Sequence, residues 1–145
     1  MKAYADTGFL VSLHSRDANS ERAITRMESH TVPMAWTWLH DLEFRNAVCL
    51  QVFRKLIKPV AVSQIMNDQA LDLQAGIYFI ATPALPDVTR LAERLSESFT
   101  RKLGTRSLDI LHVANALVLG IKEFLTFDPR QAALAKAAGL KVPKL

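Results

Sequence analysis

The chain is poor in the residues that staple, break or anchor a protein. It has one cysteine, Cys49, in 145 residues. A single thiol builds neither a disulfide framework nor a zinc cluster, so a reducing compartment, the cytoplasm, is the expected location. Cys49 lies in an apolar helical pattern and reads as a small core hydrophobe. No glycine- or proline-rich tract, repeat or linker interrupts the sequence, so residues 1–145 read as one domain. No apolar run is long enough to span a membrane; the stretch 110–121 is short and carries His112 and Asn115. The first residues, a lone Lys2 and then Asp6, lack the pattern of a signal peptide. Charge of one sign is in modest excess only. A net charge of +4 permits an anionic partner such as nucleic acid without requiring one.

What is present fits a compact globular chain. Hydrophobic residues make up 50%, enough for a real core at this length. Strand-like segments fall at 2–5, 32–35, 78–81, 123–127 and 140–142, with Pro143 marking the last as an edge. Helical patterns fall between them, at 19–29, 38–56, 62–76, 87–102, 107–119 and 129–138. Gly120 and Gly139 stand where C-terminal caps belong, and Asp128-Pro129 reads as a cap followed by proline in the first helical position. Short apolar strands alternating with helices predict an α/β fold. The expected architecture is a three-layer α/β/α sandwich around a mostly parallel sheet of about five strands.

Four acidic residues occupy positions that such a fold would normally give to apolar ones: Asp6, Glu43, Asp109 and Asp128. Asp6 and Asp128 follow strands, and open parallel sheets bind ligands beyond the carboxyl ends of their strands. The plainer reading of both is a turn or helix cap. Glu43 shares a helical stripe with Leu39, Asn46, Ala47, Leu50, Phe53 and Ile57, expected to face the core. An acid there needs a cation, unless it is partly exposed and paired with Arg45 or Arg54. Asp109, His112 and Asn115, spaced by three, form one polar track on an otherwise apolar helix. Asp109 is also a first-turn residue, where the helix dipole favours an anion. His112 reads as a supporting residue rather than a ligand. Oxygen donors without a histidine or cysteine set suit magnesium or manganese, not zinc.

The segments 4–7 (Tyr-Ala-Asp-Thr), 43–47 (Glu-Phe-Arg-Asn-Ala), 104–114 (Gly-Thr-Arg-Ser-Leu-Asp-Ile-Leu-His-Val-Ala) and 124–128 (Phe-Leu-Thr-Phe-Asp), with the ending 131–142, appear in this order. With them the chain resembles the PIN-domain ribonucleases, above all the VapC-like toxins of toxin–antitoxin pairs. The resemblance implies a metal-dependent endoribonuclease whose magnesium or manganese is held by Asp6, Glu43, Asp109 and Asp128, with Thr7, Asn46, His112 and Thr126 in support. It also implies an RNA substrate, a cognate antitoxin and a homodimer. Arg101, Lys102 and Arg106 lead into the helix that carries Asp109 and are the candidate phosphate contacts. Trp36 and Trp38, before Glu43, are candidate base contacts or core residues. The track Phe44, Val48 and Val52, opposite Glu43, is a candidate protein contact.

Other acidic sites fit less well. A dehalogenase-like phosphatase needs a second aspartate two residues after Asp6, where Gly8 stands; a receiver domain needs an acid after the third strand, where Thr82-Pro83 stands. The competing reading is a PIN-like module that binds RNA or protein without cutting.

Overall fold

The computed structural model describes residues 1–145. Four short strands, β1 (Ala3–Ala5), β2 (Met34–Trp36), β3 (Tyr78–Ile80) and β4 (Glu123–Leu125), form one all-parallel sheet in the order β3-β2-β1-β4. Side-chain alternation splits the apolar residues between the two faces. Tyr4, Ala35 and Phe124 pack into one core, with Val88, Val113 and Leu134. Ala3, Ala5, Met34, Trp36 and Leu125 pack into the other, with Phe9, Phe44, Val48 and Ile65. Helices α1 (Thr7–His14), α2 (Ser20–Ser29), α3 (Trp38–Phe53) and α4 (Pro59–Gln74) cover the second face. Helices α5 (Leu85–Leu95), α7 (Ser107–Val118) and α8 (Pro129–Ala137) cover the first, α6 being a single turn (Arg101–Leu103). This is the expected α/β sandwich. No helix is long and apolar enough to cross a membrane.

Six local expectations are corrected. Residues 140–142 form no fifth strand. Only Lys141 bridges to Glu123, because Gly139 and Pro143 confine the pairing to one residue. Helix α1 was not foreseen; Asp6 starts it by accepting the Phe9 N–H at 2.8 Å, and buried Phe9 and Leu10 hold it to the sheet. The helix expected at 87–102 leaves α-geometry in a π turn at Ser96–Thr100. Helix α3 ends at Phe53, short of 56, where Lys55 takes a left-handed φ of 59°. The two faces of α3 are also exchanged. Phe44 and Val48 are buried in the core, whereas Leu50 and Phe53 are exposed and Asn46 faces outward. Cys49 is exposed too, not a core residue. Both faces of α3 carry apolar residues, so periodicity alone did not say which one packs.

Gly104 ends α6 with φ 63° and turns the chain into α7. A Cβ there meets nothing within 4 Å, so the cost of Gly104→Ala is conformational alone. It should destabilise the fold by about 1 kcal/mol in urea unfolding. No loss would mean that the left-handed turn is not retained in solution.

Candidate functional site

The strand order decides where chemistry can gather. From β1 the chain moves outward to β2 and β3, then returns to the other side of β1 as β4. The carboxyl ends of β1 and β4 therefore flank the point where the direction of winding reverses, the natural ligand crevice of such sheets. Asp6 leaves β1 there, its backbone N–H bonded to the Leu125 carbonyl at 3.0 Å. Its Oδ1 accepts the Phe9 N–H, and the Thr126 hydroxyl donates to its Oδ2. Thr126 Oγ1 in turn accepts the Asp128 N–H at 3.0 Å. Burial raises the Asp6 pKa above the usual aspartate value, against the opposing pull of the Thr126 and Phe9 donors and of His112; Asp128 adds to the rise.

Glu43 enters from α3. The Thr7 hydroxyl donates to its Oε1 at 3.0 Å, and His112 Nε2 contacts the same oxygen. Tyr4 Oη lies 2.9 Å from His112 Nδ1. Burial drives the Tyr4 phenol well above its ordinary pKa, so it keeps its proton beside Nδ1. The other ring nitrogen, Nε2, faces Glu43. Burial pushes Glu43 up, but the bond and charge of His112 and the Thr7 hydroxyl outweigh it, and the net shift is downward. Neither Arg45 nor Arg54 pairs with Glu43.

Below Glu43 on the same helix, buried His40 ties the site to β1. Its Nε2 donates to the Ala5 carbonyl at 2.8 Å, and its Nδ1 accepts the Thr37 N–H at 3.0 Å, which closes a capping box at the start of α3.

Asp109 comes from the first turn of α7. Gln131 Nε2 donates to its backbone carbonyl at 3.1 Å. Its Oδ2 is buried and accepts no hydrogen bond; the nearest cation, Arg106 Nε, stands 3.5 Å away. Asp128 caps α8, its Oδ1 accepting the Arg130 and Gln131 N–H groups.

Asp6, Glu43, Asp109 and Asp128 all line one cleft of about 740 Å³. Thr7, Asn46, His112 and Arg106 line it too, while Thr126 acts from beneath through Asp6. Arg101 and Lys102 are exposed and do not line it, because the π turn and Gly104 separate them from α7. Trp36 is buried, its Nε1 donating to Asp41 at 2.7 Å, and Trp38 lies outside the cleft lining. The polar track on α7 splits: Asp109 and His112 face the cleft, and Asn115 is fully buried without a hydrogen-bond partner. Nothing in the sequence marks Tyr4, His40 or Asp17 as part of the site, and it offers Arg54 only as an ion-pair partner of Glu43. Asp17 lines the cleft but is taken up by its own loop, where it accepts from Ser12, Asn19 and Ser20. The one local signal was Thr37 followed three residues later by His40, a capping-box spacing with histidine in place of glutamate or glutamine.

The donor set fits a hard divalent cation by type: carboxylate oxygens on one cleft, with a buried Asp109 Oδ2 that no protein donor satisfies. As the side chains stand, no three His, Cys, Asp or Glu groups are gathered closely enough to hold one ion. Asp6, Glu43 and Asp128 are each engaged by donors of the protein instead.

No family model matches the chain, and no curated protein matches it. Solved structures do. FitAcB from Neisseria gonorrhoeae aligns at 18% identity over 97% of this chain and 95% of that one, with a TM-score of 0.60. VapBC2 from Rickettsia felis, bound to a DNA fragment from its promoter, aligns at 13% identity over 99% and 100%, with a TM-score of 0.67. VapC20 from Mycobacterium tuberculosis, a toxin that cleaves the sarcin-ricin loop, aligns at 18% identity over 90% and 93%, with a TM-score of 0.63. The chain has the PIN-like fold expected from its sequence, the fold of the VapC toxin structures.

Proposed function

We propose that this chain is a divalent-metal-dependent endoribonuclease and the toxin of a toxin–antitoxin pair. The observation that carries the reading is the meeting of Asp6, Glu43, Asp109 and Asp128 on one cleft at the carboxyl ends of β1 and β4. The fold likeness to VapC20 and VapBC2 supports RNA as substrate and an antitoxin as partner.

In this reading Asp6, Glu43, Asp109 and Asp128 hold magnesium or manganese. Such an ion, when bound, would supply positive charge near a phosphoryl oxygen and would lower the pKa of a water. The chain's own residues do the positioning. Thr126 and the Phe9 N–H fix Asp6, and Thr7 and His112 fix Glu43. Arg106 stands over Asp109, where a guanidinium can meet the phosphate of a bound strand. Asn46, exposed on the cleft wall one turn beyond Glu43, offers an amide to the same strand.

Protein partners have an apolar surface available. The core takes Phe44 and Val48, so the exposed residues near the same helix, Leu42, Phe53 and Leu56, replace them as the candidate contact for an antitoxin or a second copy.

The test is incubation of the purified protein with total RNA. Cleavage should require magnesium or manganese and stop with a chelator. Metal-independent binding without cleavage would favour the non-cutting module, the reading that the protein-held carboxylates support. A second measurement separates ligand from helix residue at Asp109. Asp109→Asn relieves repulsion between the acids and should raise the melting temperature in chelator, by roughly 3 °C for about 1 kcal/mol. The rise that magnesium adds to the wild type should shrink in the variant. Equal magnesium shifts in both proteins would remove Asp109 from the ligand set.

A further inference from the structure

Resting on the ribonuclease reading, we infer that one face of α3 and its cap, Glu43, Asn46, Ala47, Leu50, Gln51 and Arg54, is the track along which a single strand of RNA leaves the acids, with Arg54 as its phosphate anchor. These six residues all line the cleft. Their spacing of three, four, seven, eight and eleven from Glu43 is that of one helical stripe. The stripe carries an acid at one end and a cation at the other. Eleven residues of helical rise put Arg54 about 16 Å from Glu43 along the axis, a distance covered by a few nucleotides of extended strand.

The chemistry between the two ends suits a strand rather than an ion. Arg54 is exposed and makes no ion pair, so its guanidinium is free for a phosphate. The Gln51 Oε1 accepts the Ser15 hydroxyl at 2.7 Å, which turns the Gln51 amino group away from Ser15 as a fixed donor. Asn46 adds a second amide, and Ala47 and Leu50 an apolar surface for base or ribose. The only cations lining the cleft are Arg54 and Arg106, one on α3 and one beside Asp109. A phosphate on each would draw the strand across the carboxylates between them.

The same geometry selects unpaired RNA. Asp6 is buried, and Glu43 and Asp109 are only about one-fifth exposed, whereas Leu42, Leu50 and Leu108 stand out from the cleft wall. A flexible strand can bend down to recessed acids. A rigid A-form duplex carries its phosphates on a convex surface and cannot follow.

The test is fluorescence anisotropy with a short labelled oligoribonucleotide, single-stranded or annealed to its complement. Calcium replaces magnesium, and a gel checks that the RNA stays intact. Wild type should bind the single strand at least roughly tenfold more tightly than the duplex. Arg54→Ala should weaken single-strand binding roughly three- to tenfold and lower the salt slope by about 0.7, one phosphate contact. Arg45→Ala removes the same charge from an exposed position of α3 outside the cleft and should change neither by more than about twofold. Equal losses in the two variants would overturn the track and leave the ribonuclease reading standing. Equal affinity for duplex and single strand would overturn the substrate class. A wild type that binds neither RNA would bring down the ribonuclease reading itself.

Discussion

Asp6→Asn should reduce metal-dependent RNA cleavage by at least ~100-fold while the fold is kept and the metal-free protein becomes more stable. Asparagine has the shape of aspartate. Its Oδ1 can still accept the Phe9 N–H that starts α1, and its amino group can donate to Thr126 Oγ1. What it lacks is the negative charge. That charge is costly here, since burial raises the Asp6 pKa in the folded protein. The sign follows from linkage. A carboxyl whose folded pKa lies above its unfolded value costs stability once the pH exceeds the unfolded value of 3.8, and the cost grows until the pH passes the raised folded value. Removing the charge removes the cost, so the variant should melt a few degrees higher in chelator. A divalent cation reverses this order by favouring the ionised form, and magnesium should stabilise wild type more than the variant. Cleavage assays paired with melts would decide it. A variant that cuts as fast as wild type would show that Asp6 only caps α1.

How far the sequence carried the site depends on whether each residue's role is local. Asp6 and Asp128 were legible because a strand followed by an acid is a local pattern. Their meeting also needed β4 to return beside β1, which the alternation of strands and helices makes natural without stating it. The Asp109–His112 track was legible because its spacing of three is helical. Its partner Tyr4 was not: 108 residues separate Tyr4 from His112, and no short pattern links them. Arg101 and Lys102 are near Asp109 only in sequence. One π turn and one left-handed glycine were enough to take them off the cleft. On α3 the sequence offered two apolar stripes, and the core took the one with Phe44 and Val48. Glu43 therefore lies on the half-exposed stripe, where an acid can meet solvent and a ligand together. In the sequence Arg54 reads only as an ion-pair partner for Glu43, because its place at the far end of the cleft wall follows from which stripe packs.

Acid should destabilise this protein earlier than its carboxylates alone would, and His40 should be a main cause. Its ring is fully buried. Burial, together with nearby His112, lowers its pKa to about 3 against the pull of the Ala5 carbonyl. Both ring nitrogens are in use: the protonated Nε2 on the Ala5 carbonyl, the bare Nδ1 on the Thr37 N–H. A second proton would sit on Nδ1 and break the Thr37 bond. In the unfolded chain the same ring titrates near 6.5. Below pH 6.5 the unfolded state therefore binds a proton that the folded state refuses. Stability from this group is complete above 6.5 and is lost as pH falls toward 3, by up to about 1.4 kcal/mol per pH unit. His14, lowered by burial against the pull of Asp72 and Asp68, acts in the same direction. Glutamine at position 40 can accept the Thr37 N–H without titrating, as in an ordinary capping box. Urea unfolding of wild type and His40→Gln between pH 7 and 4.5 measures the difference. The two stability curves should converge as pH falls, by about 2 kcal/mol over this range. Because the bond that protonation breaks is the Thr37 cap, it would loosen the start of α3, the helix that presents Glu43 to the cleft. Curves that stay parallel would show that the buried ring does not set the acid limit of the fold.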